Sequence, residues 1–123
     1  MPVETNGIWG HALEVPGTAA LNSGGYASIY SVSCASAGNC SAGGSYTDSF
    51  NHMQAFVVSE INGTWHGAIE VPGTVVLNQG GNASINAVAC TSAGHCSAGG
   101  FYTDSSKLQQ VFVVKRNLGI PRA

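Results

Sequence analysis

The phrase VSCASAGNCSAGGSYTD, Val32 to Asp48, returns almost unchanged as VACTSAGHCSAGGFYTD, Val88 to Asp104. The same offset of 56 residues sets Trp65 over Trp9 and AIEVPGTVVLNQGG (Ala68 to Gly81) over ALEVPGTAALNSGG (Ala12 to Gly25). Residues 1–123 therefore read as a single unit made of two copies, 6–61 and 62–117, with short tails. Whatever this chain folds into must solve one packing problem twice. A period of 56 residues lies near the blade lengths of propeller-type repeats and well above the coils of solenoids. Positions common to both copies are expected to be structural. Those that differ, such as Asn39 against His95 and Phe50 against Ser106, are expected outward or in loops.

Only 8% of residues are charged, 44% are hydrophobic with many β-branched, and 17 are glycine, a composition that predicts an all-β fold. Four strands recur per copy. In the first, Ser28 to Cys34 and Cys40 to Thr47 flank a short turn, and Gln54 to Ile61 and Thr64 to Val71 flank Asn62-Gly63. Asn-Gly between alternating segments predicts a type I′ hairpin, because both central residues need positive φ. Pro72 to Ala83 is turn-rich and too long for a hairpin, so it is expected to cross to the next sheet. The second copy supplies Ser84 to Cys90, Cys96 to Thr103 and Gln110 to Arg116, then runs into NLGIPRA with no fourth strand. A surplus strand stands at the other end, Ile8 to Val15, with no hairpin partner before it.

Head-to-tail closure repairs both ends at once. The expected architecture is two four-stranded antiparallel blades per chain, assembling into a cyclic homo-oligomeric β-propeller in which strand 8–15 completes the last blade of a neighbouring subunit. Left open, that edge invites aggregation. A trimer with six blades is the expectation and a tetramer with eight the alternative. Alternation puts Trp65, Gly67, Ile69 and Val71 on one strand face, and Trp9, His11, Leu13 and Val15 likewise. Small residues on the first strand of each copy, Ser31 and Ser33 or Ala87 and Ala89, suit crowding near a propeller axis.

The order of Trp, EVPGT, LN, GG, VSC, C, AGG, YTD and FVV resembles the Trp/Cys repeats found in tandem in secreted bacterial proteins, actinobacterial ones especially, which are predicted to be propeller blades. The resemblance spans nearly the whole chain and implies a propeller and export; it brings no catalytic or binding residues with it. In architecture alone, a two-repeat chain that assembles into a propeller is similar to small fungal and bacterial lectins.

Four cysteines permit three pairings, and the repeat singles out Cys34 with Cys40 and Cys90 with Cys96 as disulfides. A metal site fits poorly: C-x5-C exceeds the usual ligand spacing, and His95 has no counterpart at Asn39. No Lys, Arg or His recurs beside a cysteine to activate it. Of the recurring carboxylates, Asp48 and Asp104 read as turn residues that end a strand, and Glu14 and Glu70 as acceptors where the chain leaves a blade. A glycosidase needs two carboxylates in different roles, which close repetition does not provide. The histidines, His11, His52, His66 and His95, occupy inequivalent positions, so no Ser/His/Asp triad emerges.

Ligand-binding candidates are Trp9 and Trp65, whose faces could stack on sugars, and a shallow polar group of Tyr46, Tyr102, Asp48, Asp104, Asn22 and Asn78. Each also has a structural role open to it, the tryptophans as filling between blades. No Ca²⁺-loop pattern is present and no cofactor is expected. Four basic against six acidic residues give a formal charge of -2 with no basic cluster, which argues against nucleic acid. No apolar run reaches the roughly 20 residues that span a bilayer, and the polar start is not a signal peptide, so export is expected with the signal outside this chain. The function expected is non-catalytic: an extracellular binding module, with a multivalent carbohydrate-binding lectin as one form of it. The alternative is a purely structural, self-assembling repeat fragment, natural or engineered, without a small-molecule ligand.

Overall fold

Alternating apolar residues between Gly- and Asn-rich turns fold into strands where the repeat places them. The computed structural model describes the backbone of residues 4–5, 8–92 and 95–116, and the side chains of 10–92 and 95–116. The first meander comprises β3 (Ala27–Ser36), β4 (Asn39–Thr47), β5 (Met53–Ile61), β6 (Thr64–Trp65) and β7 (Ile69–Glu70), after a short N-terminal pair, β1 (Glu4–Thr5) and β2 (Ile8–Trp9). The second forms β8 (Ser84–Ser92), β9 (His95–Thr103) and β10 (Gln109–Arg116). Both meanders are antiparallel: β3-β4-β5 with β6 and β7 on the outer edge, and β8-β9-β10. The protein is mostly β, in two main antiparallel sheets.

Turn chemistry behaves as its residues require. Asn62 and Gly63 both take positive φ, 51° and 83°, and join β5 to β6 as a type I′ turn does. Cys34 pairs directly with Cys40, and Cys90 with Cys96, across the β3-β4 and β8-β9 corners. Both disulfides are formed.

Three features depart from the sequence reading. The expected strand Thr64–Val71 is broken in two, because a bulge shifts its register: Glu60 pairs with Trp65, but Val57 pairs with Ile69. At the break the Ala68 amide turns away from β5 to donate to the Pro16 carbonyl at 2.7 Å. The inward face changes with it: Trp65 and Ala68 pack inward while Ile69 is 52% exposed. Within each crossing loop a single helical turn forms, α1 (Thr18–Leu21) and α2 (Thr74–Leu77). Their first threonines donate back to the Val15 and Val71 carbonyls, each at 2.7 Å. Finally, the expected strand Ile8–Val15 is strand only at Ile8–Trp9, which pair back onto Glu4–Thr5, so the segment does have a partner before it. An extended stretch whose sheet edge is open takes the nearest strand its own chain offers. The expected break-off after Arg116 lies outside the described residues, as does the Trp9 side chain.

The sheets pack face to face, with β3 beside β8. The Ser31 and Ser33 hydroxyls accept from the Val88 and Cys90 amides at 2.9 and 3.1 Å. Met53 bridges to the second sheet through its backbone, donating to Gly81 O and accepting from Ala83 N, each at 2.9 Å. Between the sheets lies a cluster of Ala55, Val71, Ala83, Ile85 and Ala98. On the far side of the first sheet a second cluster, Ala42, Tyr46, Phe56, Val58 and Ala68, is covered by Val15, Leu21 and Trp65.

Candidate functional site

The polar candidates fall into place as parts of turns and of the seam between sheets. Asp48 Oδ1 accepts from the Phe50 and His52 amides at 2.9 and 3.0 Å, and its Oδ2 from Gln54 Nε2 at 2.9 Å. Asp104 does the same with Ser106, Leu108 and Gln110 at 2.9, 3.0 and 3.0 Å. Burial pushes the Asp48 carboxyl up, but the bonds from Gln54, His52 and Phe50 outweigh it and hold the group below the usual carboxylate range. Asp104 is lowered by the bonds from Leu108, Gln110 and Ser106.

Gln54 carries this turn across the seam. Its Oε1 accepts from Asn78 Nδ2 at 3.1 Å; the same amide nitrogen donates to Met53 O at 3.1 Å, while Asn78 Oδ1 accepts from Asn82 N and Thr103 N. Asn78 is thus a clasp between the sheets. Asn22 is its counterpart in the first copy, with no preceding three-stranded meander among the described residues to clasp, and its Oδ1 is buried without a hydrogen-bond partner.

The aromatic candidates are packed. Tyr46 is 5% exposed, its ring 6.3 Å from Phe56, and Tyr102 lies half-buried, 6.4 Å from Phe112. Burial, then the charges of Glu70 and Asp48, push the Tyr46 hydroxyl up to about 12. Glu70 is itself raised, by burial and then by Asp48. Trp65 is half-buried against the Ala42–Phe56–Val58 cluster, and its indole N–H is buried without a hydrogen-bond partner. Among the described residues no three His, Cys, Asp or Glu side chains come together as metal ligands.

Sequence reasoning did not find the surfaces on which the two sheets meet, since nothing local marks them. Ile85 is fully buried and sits over Gly43, where an added Cβ would lie 2.6 Å from Ile85 Cγ2. The equivalent pair, Ile29 and Gly99, is apart: Ile29 is 36% exposed, and a Cβ on Gly99 would meet nothing nearer than 3.7 Å. Ala55 is fully buried in the seam, whereas its counterpart Val111 is 81% exposed and the adjacent face residue Val113 86%. The repeat itself, read as pairs of equivalent positions, is the signal that could have located these faces.

Between the sheets, beside the outer strands, opens a cleft of about 490 Å³. Val57, Ile69, Ala98 and Val114 line it, with His66 and Arg116 among its polar residues. A search of protein-family models, of curated proteins and of solved structures finds no match to this chain.

Proposed function

We propose that this chain is a self-assembling two-blade unit of a β-propeller, exported and non-catalytic, whose work is done by the ring it builds. One observation carries the reading. The face of the first sheet that the second covers, Gly43, Ala55 and Val57, recurs uncovered on the second as Gly99, Val111 and Val113. The face that does the covering, Ala83 and Ile85, recurs uncovered on the first as Ala27 and Ile29. Faces that complement each other at opposite ends of one chain make a heterologous contact, which closes into a ring if the rotation allows. Three chains with six blades is the expected size and four with eight the alternative. Both disulfides fit an oxidising, extracellular setting. Native mass spectrometry across a dilution series tests it: a closed trimer or tetramer supports the ring, and a monomer at every concentration overturns it.

The second reading, a multivalent lectin, draws support from exposed aromatics: Tyr26 is 76%, Tyr30 54% and Phe50 78% exposed. Repeated once per chain around a ring, such faces would gain avidity on clustered glycans. Of the candidates named from the sequence, Asp48, Asp104, Tyr46 and Asn78 are already engaged in turns, core and seam, which favours assembly as the primary role. A glycan array probed at high protein concentration decides: binding selects the lectin, and a blank array leaves the ligand-free assembly.

A further inference from the structure

We infer that the cleft between the two sheets receives the N-terminal strand of a second copy, with the Trp9 indole as its filling; this rests on the self-assembly reading. The argument is the repeat equivalence applied to one void. In the first sheet Trp65 packs on the cluster of Ala42, Tyr46, Phe56, Val58 and Ala68. The counterparts in the second sheet are Ala98, Tyr102, Phe112 and Val114, and two of them, Ala98 and Val114, line the cleft. So the cleft lies where a tryptophan stands in the first sheet. The residues that would place one there belong to a fourth strand, and β10 is an edge strand, with no strand of the described residues on its outer side. Ile8 to Val15 is the copy of that strand that stands outside both meanders.

Register follows from the first sheet. Glu60 pairs with Trp65 and Phe56 with Glu70, so Arg116 of one copy faces Trp9 of the next, and Phe112 faces Glu14. Directly opposed residues stand with Cβ atoms about 5 Å apart on one face. Glu60 in the first sheet is replaced at this position by Arg116, whose guanidinium can lie on the indole face as a cation on a π system. Arg116 already borders the cleft. The occupant is therefore specific: an apolar ring with a cation beside it, brought by a strand that completes a four-stranded sheet.

Two measurements on the same protein separate this from the ring itself. The first is native mass spectrometry over a dilution series for the unaltered chain, Trp9→Phe and Trp9→Ala. The second is ¹⁹F NMR of the fluorotryptophan-labelled chain, whose two resonances are assigned with Trp9→Phe. The expected result is that Trp9→Ala raises the ring's dissociation constant about 100-fold, Trp9→Phe much less, and the Trp9 resonance moves when the ring is diluted apart. A ring that survives Trp9→Ala with its dilution behaviour intact, and a Trp9 signal indifferent to dilution, overturns the berth and leaves the ring standing. A chain that is monomeric throughout overturns both. Should Trp9→Ala fail to fold, the dilution shift in the labelled, unaltered chain decides alone.

Discussion

Tyr46 shows how a residue that looked like a pocket lining serves the core. Its hydroxyl is pushed up to about 12 from 10.0, first by burial and then by Glu70 and Asp48. An acid whose folded pKa is raised binds its proton more tightly in the native state, so this contribution is complete below pH 10 and falls away as pH rises towards 12. Thermal melts across that window should show stability dropping, and Tyr46→Phe should flatten the drop. An unchanged alkaline limb in Tyr46→Phe would remove Tyr46 as its cause. On the acid side Asp48 and Asp104 act in the opposite sense. Both are held below 3.8, so their stabilisation is present above the unfolded value and lost as pH falls through the folded one. Replacing both with Asn should flatten the acid limb below about pH 4 in the same melts, whereas the raised Glu70, relieved by protonation, works against that limb. Asp48 was legible from sequence because its partners, Phe50 and His52, lie within four residues. Asn78 was not, because its partners, Met53 and Gln54, lie 25 and 24 residues back and in the other sheet.

At the level of strands, alternation and turn residues were enough to place six of them, β3, β4, β5, β8, β9 and β10, since burial on one face and a tight turn are properties of neighbours in sequence. The bulge in the outer strand was not legible. An extra residue on an edge strand costs no core contact, and Gly67 is its one local trace. Nor could sequence tell the sheet-to-sheet bonds from the background of small residues on β3. Ser31 and Ser33, chosen by their size, also accept hydrogen bonds from β8. Their counterparts Ala87 and Ala89 have no hydroxyl to offer, so in the proposed ring a seam between copies would lack these two bonds while the seam within a chain keeps them. The Ser31→Ala, Ser33→Ala double variant should therefore lower the chain's unfolding free energy by about 2 kcal/mol in denaturant melts, at about 1 kcal/mol per bond. It should leave the strength of assembly unchanged. A double variant as stable as the parent would mean that water satisfies the β8 amides equally well.

For the whole molecule, the decisive comparison is between two glycines that the repeat makes equivalent and the fold does not. Gly43 lies under Ile85 in a closed seam, and Gly99 opens to solvent on the matching face. An added methyl at Gly43 would sit 2.6 Å from Ile85 Cγ2, and Ile85 is fully buried and held by its cluster, so it cannot swing aside. Gly43→Ala should accordingly destabilise the folded chain by about 1–3 kcal/mol, the usual cost of overpacking. At Gly99 the same methyl meets only Phe112 O and Val113 Cγ1, at 3.7 and 3.9 Å, which is ordinary contact. Under dilution, where chains stand alone, Gly99→Ala should melt like the parent. If Ile29 of a second copy takes the place over Gly99 that Ile85 takes over Gly43, the same variant should lose the ring at concentrations where the parent keeps it. Chemical denaturation of dilute protein reads the first effect and native mass spectrometry of concentrated protein the second. Opposite responses at the two glycines would mean that the inner and outer seams share one geometry. A Gly99→Ala chain that assembles as tightly as the parent would mean that copies meet elsewhere, whatever their number. The pairing matters because each variant controls for the other: one chemical change, at one structural position, differing only in whether a sheet of the same chain covers it.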